Sequence, residues 1–248
     1  MEKVFGIHAV DALLRRQPQS IQRLYIQAGR RDKRIAGLTD LAANQGVALE
    51  TVARADLDQM VSGRHQGVVA EVVRSEREWD ESALWQHLDS LERPPLLLVL
   101  DGVTDPHNLG ACLRSADAAG VDAVIVPRDK SADLNPTVRK VACGAAETMP
   151  FLRVTNLART LDALKERGIW LYGTAGEADT SVFDSDLTGP AALIMGAEGA
   201  GLRRLTREAC DYLVKLPMAG DVSSLNVSVA TGICLFEAVR QRRIESGK

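Results

Sequence analysis

The sequence predicts an α/β protein, with an open parallel sheet covered by helices on both faces in its C-terminal part and a smaller α/β domain ahead of it. Three observations predict this. Short apolar runs at residues 96–100, 123–126, 169–172, 191–195 and 213–216 have the length and composition of parallel strands buried on both faces. Amphipathic stretches at 109–119, 156–167 and 202–210 lie between them and read as crossover helices. A charge-rich stretch that ends in Pro94 and Pro95 separates this pattern from the one before it. The 248 residues suffice for two modest domains. They are read as a first domain at 1–74, a linker at 75–95 and a second domain at 96–248.

In the first domain, residues 6–16 place Val10, Leu13 and Leu14 at helical spacing, and residues 21–28 alternate apolar and polar as a strand does. Residues 31–45 read as a helix stopped by Gly46, 47–52 as a strand, and 67–73 (GVVAEVV) as the strand that closes the unit. The linker has room for one helix. Trp79 and Trp85 within it are expected to pack against protein rather than stack on bases.

The composition, 46% hydrophobic and 25% charged, is that of an ordinary globular chain and excludes disorder. No apolar run approaches bilayer length and the first residues lack a secretory core, so a cytoplasmic protein without a membrane partner is expected. Cys112, Cys143, Cys210 and Cys234 form no C-x-x-C pair and show no ligand spacing with the four histidines, so buried thiols and no metal are expected. A net charge of −3 argues against a protein that coats nucleic acid through bulk charge. Locally, Arg23, Arg30, Arg31, Lys33 and Arg34 face a single acid, Asp32, which suits either a solvated helix face or a phosphate contact.

Three segments fall where strands of an open α/β sheet end, which is where such sheets bind ligands. After the first strand of the second domain, residues 101–110 (DGVTDPHNLG) form a polar loop that opens a helix carrying Arg114; Asp105 or Asn108 could merely cap it. Residues 196–201 (GAEGAG) let backbone amides approach a ligand closely. Their G-x-x-G-x-G spacing, late in the chain, is not the dinucleotide fingerprint, which argues against a nucleotide-dependent oxidoreductase. Residues 216–232 (LPMAGDVSSLNVSVATG) combine a strand end, a glycine turn and a helix rich in small residues, with Ser223 or Ser224 as its expected cap. Amides at that helix start would favour an anionic group, though an unliganded capped helix fits equally well.

In this order the three segments resemble the motifs of the SpoU family of RNA ribose 2′-O-methyltransferases, within the SPOUT superfamily. The likeness extends to Gly6-Ile-His-Ala-Val10 and His65-Gln-Gly67. It is greatest to family members that methylate a guanosine in the peptidyl-transferase region of 23S ribosomal RNA. The resemblance implies S-adenosyl-L-methionine as cofactor, a C-terminal trefoil knot, an N-terminal RNA-binding domain similar to the ribosomal protein L30e fold, and a homodimer. It implies 23S ribosomal RNA, or a large-subunit assembly intermediate, as partner.

Carried over residue by residue, the resemblance makes Asn108, Arg114, Glu198, Ser224 and Asn226 the polar catalytic positions and Gly196, Leu216 and Leu225 the cofactor contacts. Arg114 is expected to clamp a phosphate and orient the hydroxyl, because a guanidinium is almost never deprotonated in proteins. RNA contacts are expected from His8, Arg30, Arg31, Lys33, Arg34, Arg64 and His65, although His8 and His65 could equally fix a turn. The competing class is a non-catalytic RNA-binding or ribosome-assembly protein, which would have no physical reason to retain every polar motif position.

Overall fold

The computed structural model describes residues 2–30, 32–73, 79–245 and 247. They form two compact units, Met1–Arg77 with Cys143–Thr148, and Glu78–Ala142 with Met149–Lys248.

The first unit contains β1 (Glu2–Phe5), α1 (Ile7–Arg16), β2 (Ile21–Gln27), α2 (Lys33–Asn44), β3 (Leu49–Val52), α3 (Arg54–Met60) and β4 (Val68–Val72). Its sheet runs β1-β4-β2-β3, with β2 and β3 parallel and the other pairs antiparallel. Val10, Leu13 and Leu14 of α1 pack with Leu24, Ile26, Val68 and Ala70 of the sheet, as the helical spacing requires. Asp32 caps α2 by accepting from the amides of Arg34 and Ile35 at 3.1 and 3.2 Å. The periodicity missed β1 and α3, each too short for its pattern to repeat.

The second unit opens with α4 (Glu81–Asp89), inside the stretch read as a linker. Its Leu84 and Leu88 are buried among Leu97, Ile125, Leu152 and Leu161. There follow β5 (Leu96–Asp101), α5 (Pro106–Ala118), β6 (Ala123–Pro127) and α6 (Pro136–Ala142), then α7 (Ala145–Thr148), which groups with the first unit. The chain continues through β7 (Phe151–Val154), α8 (Leu157–Glu166), β8 (Trp170–Thr174), β9 (Thr180–Ser181), β10 (Ala191–Gly196), α9 (Arg204–Ala209), β11 (Tyr212–Lys215) and α10 (Val227–Glu245). All five apolar runs are strands.

The second sheet is parallel in the order β7-β6-β5-β10-β8-β11-β9. From β5 the chain crosses to β6 on one side, and from β10 it crosses to β11 on the other. The loops after β5 and β10 therefore diverge and leave a crevice at their carboxyl ends. Residues Leu96–Asp101 are all buried, so the crevice rests on a strand packed on both faces.

Arg242 near the end of α10 donates to the carbonyls of Leu187 (3.0 Å), Pro94 (3.0 Å), Pro95 (3.0 Å) and Gly189 (2.6 Å). These lie just before β5 and β10. The last helix is thus anchored at the opposite edge of the sheet from its own N-terminus. Burial lowers the pKa of this guanidinium, and the four acceptors answer its hydrogens instead of water.

Candidate active site

β5 ends in an acid that no solvent reaches. Asp101 accepts from Arg203 Nε at 2.5 Å and from the Arg203 amide at 3.0 Å. An unpaired carboxylate at this depth would cost several kcal/mol, so the pair ties the end of β5 to the loop that follows β10. Within that loop Ala197 and Gly201 exchange backbone hydrogen bonds at 3.1 and 2.9 Å, with Gly199 and Gly201 at positive φ. A Cβ on Gly196 would strike the backbone of Gly201 and Leu202. The close approach that the glycines were expected to offer a ligand is, at Gly196, made by the loop's own returning chain. The turn leaves Glu198 exposed at its tip.

Asp105 caps α5 by accepting from the amides of His107 and Asn108 at 3.1 and 3.3 Å, which frees the side chain of Asn108 for other use. The cap of α10 is Asn226, correcting the expectation of Ser223 or Ser224. Its Oδ1 accepts from the Ser228 amide at 2.9 Å and from Ser228 Oγ at 2.6 Å, because the helix starts only at Val227. A backbone amide can only donate, so this cap orients the Asn226 side chain. Its Nδ2 then faces away from the helix and donates to Asn108 Oδ1 at 2.9 Å and to Glu198 Oε1 at 2.7 Å. Asn108 Nδ2 in turn donates to the same Glu198 oxygen at 3.1 Å, and the Val227 amide reaches it at 3.4 Å. Three residues from three separate segments close one polar triangle in the crevice.

Beside the triangle lies a cavity of about 260 Å³ lined by Gly102, Val103, Thr104, Asp105, Asn108, Ala197, Glu198 and Val227. That is slightly below the roughly 300 Å³ at which small-molecule sites begin, so it encloses only part of a nucleoside-sized ligand. The remaining contacts are available nearby. Among the described residues, the main chain of 217–225 makes no hydrogen bond, and Met218, Val222 and Leu225 stand exposed along it. Unpaired amides and carbonyls beside apolar side chains suit a ligand read through the backbone. Leu216 is half-buried at the start of this segment, and Ser224, exposed within it, does not join the triangle. Arg114 is exposed on α5, lines no part of the cavity and makes no ion pair among the described residues.

The family model of the SpoU rRNA methylase family matches residues 95–236, which hold the whole crevice. The chain belongs to that family. A second family model, for RNA 2′-O ribose methyltransferase substrate binding, matches residues 3–78. Among curated relatives, the 23S rRNA (guanosine-2′-O-)-methyltransferase RlmB of Pseudomonas syringae pv. tomato is 62% identical over 242 residues, covering 98% of this chain and 96% of the relative. Its counterpart in Escherichia coli K12 is 60% identical, covering 97% of this chain and 99% of the relative. Among solved structures, the SpoU methyltransferase AviRb from Streptomyces viridochromogenes in complex with the cofactor AdoMet aligns with a TM-score of 0.76 at 30% identity. That alignment covers 97% of this chain and 90% of the other.

The residues expected to hold RNA in this SpoU family member divide by geometry. His65 is 5% exposed; its Nδ1 accepts from the Gly67 amide at 3.0 Å and its Nε2 meets Asp58 Oδ1 at 2.9 Å. With both ring nitrogens engaged inside the unit, His65 fixes the turn before β4, the alternative that the sequence left open for it. Arg30 bonds Asp32 Oδ2 at 2.6 Å and the carbonyl of Gln66, so it too ties loops together. That bond, with two backbone amides, holds the Asp32 carboxyl below its ordinary range. His8, Lys33, Arg34 and Arg64 are exposed. The chain order gathers them at one end of the small sheet, where β1 and β2 finish and β4 begins. Arg31 lies outside the described residues.

The thiols are less uniform than expected. Cys112 and Cys234 are buried, with burial pushing them up to about 11 and about 12, whereas Cys143 is exposed. No cluster of His, Cys, Asp or Glu among the described residues could hold a metal, and no helix among them is long and apolar enough to cross a membrane. Sequence reasoning missed Asp101 and Arg203. An acid closing an apolar strand run is a visible signal, but its partner 102 residues later is not.

Proposed function

We propose that this protein transfers a methyl group from S-adenosyl-L-methionine to the ribose 2′-hydroxyl of a guanosine in 23S ribosomal RNA, in the peptidyl-transferase region. The observation that carries the reading is the Asn108–Glu198–Asn226 triangle, in which all three family motifs meet at the crevice between β5 and β10. The curated relatives of matching length bear the same activity in their names. When bound, the cofactor would supply an electrophilic methyl group on a sulfonium, whose in-line transfer to the ribose oxygen breaks the C–S bond, releases a neutral thioether and needs no metal. The cavity beside the triangle, with the unpaired main chain of 217–225 and Leu216, Leu225 and the Gly196 turn around it, suits that cofactor.

This chain's residues act by positioning. Glu198, held through one oxygen by three N–H donors, keeps its second oxygen available to a ligand hydroxyl or amine. Asn108 and Asn226 fix Glu198 and the start of α10 together. Arg114, without an ion pair among the described residues, grips an RNA phosphate and orients the hydroxyl, whose proton leaves to that phosphate or another acceptor. Ser224, exposed in the cofactor segment, supplies a further hydroxyl there.

In this reading the first unit, similar to the L30e fold, holds the RNA through His8, Lys33, Arg34 and Arg64, on naked RNA or on an assembly intermediate. The C-terminal segment is threaded as a trefoil knot, supported by a chain that places β10 between earlier strands and then returns Asn226 to Asn108. The protein works as a homodimer; Val229 and Phe236, each 50% exposed, form with Ile233 an apolar stripe on α10 that a second copy would cover. Methyl incorporation from labelled cofactor, followed by mapping of ribose methylation on 23S RNA from cells lacking the protein, tests the assignment. Cofactor binding without incorporation into any RNA would leave a non-catalytic binder.

A further inference from the structure

We infer that the second unit carries a separate phosphate-binding pocket at the carboxyl ends of β6 and β7, which takes a backbone phosphate of the RNA away from the ribose that is methylated. This rests on the RNA-methylating reading above. The pocket, about 160 Å³, shares no residue with the cavity beside the triangle. It gathers Arg128 from the end of β6, Arg153 from β7 and Arg159 from the first turn of α8, against two acids, Asp80 and Glu81.

Both acids are already engaged. Asp80 caps α4 through the Ala83 amide at 2.7 Å, and Glu81 accepts from Thr160 Oγ1 at 2.8 Å and Arg159 Nη2 at 2.9 Å. The arginines are not satisfied in the same degree. Arg128 is exposed, and among the described residues its side chain makes a single long contact, from Nε to the Arg153 carbonyl at 3.5 Å. Arg153 donates through its two terminal nitrogens to Asp133 and to the Arg128 carbonyl. Its Nε is a buried donor with no acceptor among the described residues.

A second feature points the same way. Asn156 caps α8 through the Arg159 amide at 3.1 Å, while the first amides of this ten-residue helix have no intrahelical acceptor and carry the positive end of its dipole. Guanidinium forks beside such amides match the oxygens of a phosphate. Trp79, packed against the core of the unit as expected, forms the apolar side of the pocket. In the sheet, β6 and β7 lie one and two strand spacings from β5, roughly 5 and 10 Å, so the pocket opens on the same edge as the crevice. An RNA strand entering the crevice would pass it.

The test uses the full-length protein, a 23S RNA fragment that the wild type methylates, and the variants Arg128→Ala and Arg128→Glu, titrated at several salt concentrations. Arg128→Ala is expected to weaken RNA binding roughly 3- to 10-fold and to reduce the slope of log affinity against log salt by about one. Arg128→Glu should weaken it further, and both should bind S-adenosylmethionine as the wild type does. Unchanged RNA affinity and slope in both variants would overturn the pocket even if the wild type methylates. Loss of inorganic phosphate binding without loss of RNA affinity would likewise overturn it, since the source would then be free phosphate. If the wild type methylates no RNA, the underlying function fails instead, and the binding slopes still judge the pocket.

Discussion

Arg114 and Asn226 divide the work at the crevice. Asn226 engages both of its side-chain polar atoms within the fold, whereas Arg114 stands exposed with no ion pair among the described residues, which suits the substrate contact proposed for it. Arg114→Ala should therefore abolish methyl transfer while leaving cofactor affinity within about twofold, as measured by titration beside a methyl-incorporation assay. Equal loss of both would assign the residue to structure. Arg114→Lys should recover little, because an ammonium keeps the charge but lacks the planar fork that holds a phosphate in two places.

At the scale of elements, α10 is held at both ends by different chemistry. Its start is set by Asn226 and its end by the four carbonyls around Arg242. Replacing Asn226 by Ser keeps a competent cap but removes both amide donors to Asn108 and Glu198. Helix stability should change by less than about 1 kcal/mol while methyl transfer falls on the order of 10- to 100-fold, read by thermal unfolding and single-turnover rates. Arg242→Met leaves carbonyls without their donor and should cost about 2–4 kcal/mol in denaturant unfolding. The buried strands of this unit were legible because a buried parallel strand needs an uninterrupted apolar run, and α5, α8 and α9 were legible as the amphipathic stretches between them, whereas α6, at seven residues, was not read. Phe151–Val154 and Thr180–Ser181 escaped because one is only partly buried and the other has two residues. The polar residues of the triangle were legible as motif positions. That they bond one another was not, since pairing across 118 residues depends on strand order, which no local pattern encodes. The α10 cap was misplaced for a related reason, because Ser223 and Ser224 have the right chemistry but stand before an irregular stretch.

For the whole molecule, charge is distributed rather than abundant. A net charge of −3 leaves local groups to hold RNA, and the first unit gathers His8, Lys33, Arg34 and Arg64 at one end of its sheet. Lys33→Glu with Arg34→Glu should weaken RNA binding at least about tenfold and flatten its salt dependence, without altering cofactor affinity in the second unit. A change in both affinities would mean that the substitutions disturb more than the RNA surface. The two family models divide the chain in the same sense, at 3–78 and 95–236. Finally, the double engagement of Asn226 sets an order of events during synthesis. A nascent chain leaving the ribosome carries Asn108 and Glu198 before the residue that joins them has been translated, and the helix that residue nucleates comes after every other described element of the unit. The three-residue contact then closes in one late step, so that a translation product cut short of residue 226 has neither the start of the closing helix nor a finished polar triangle.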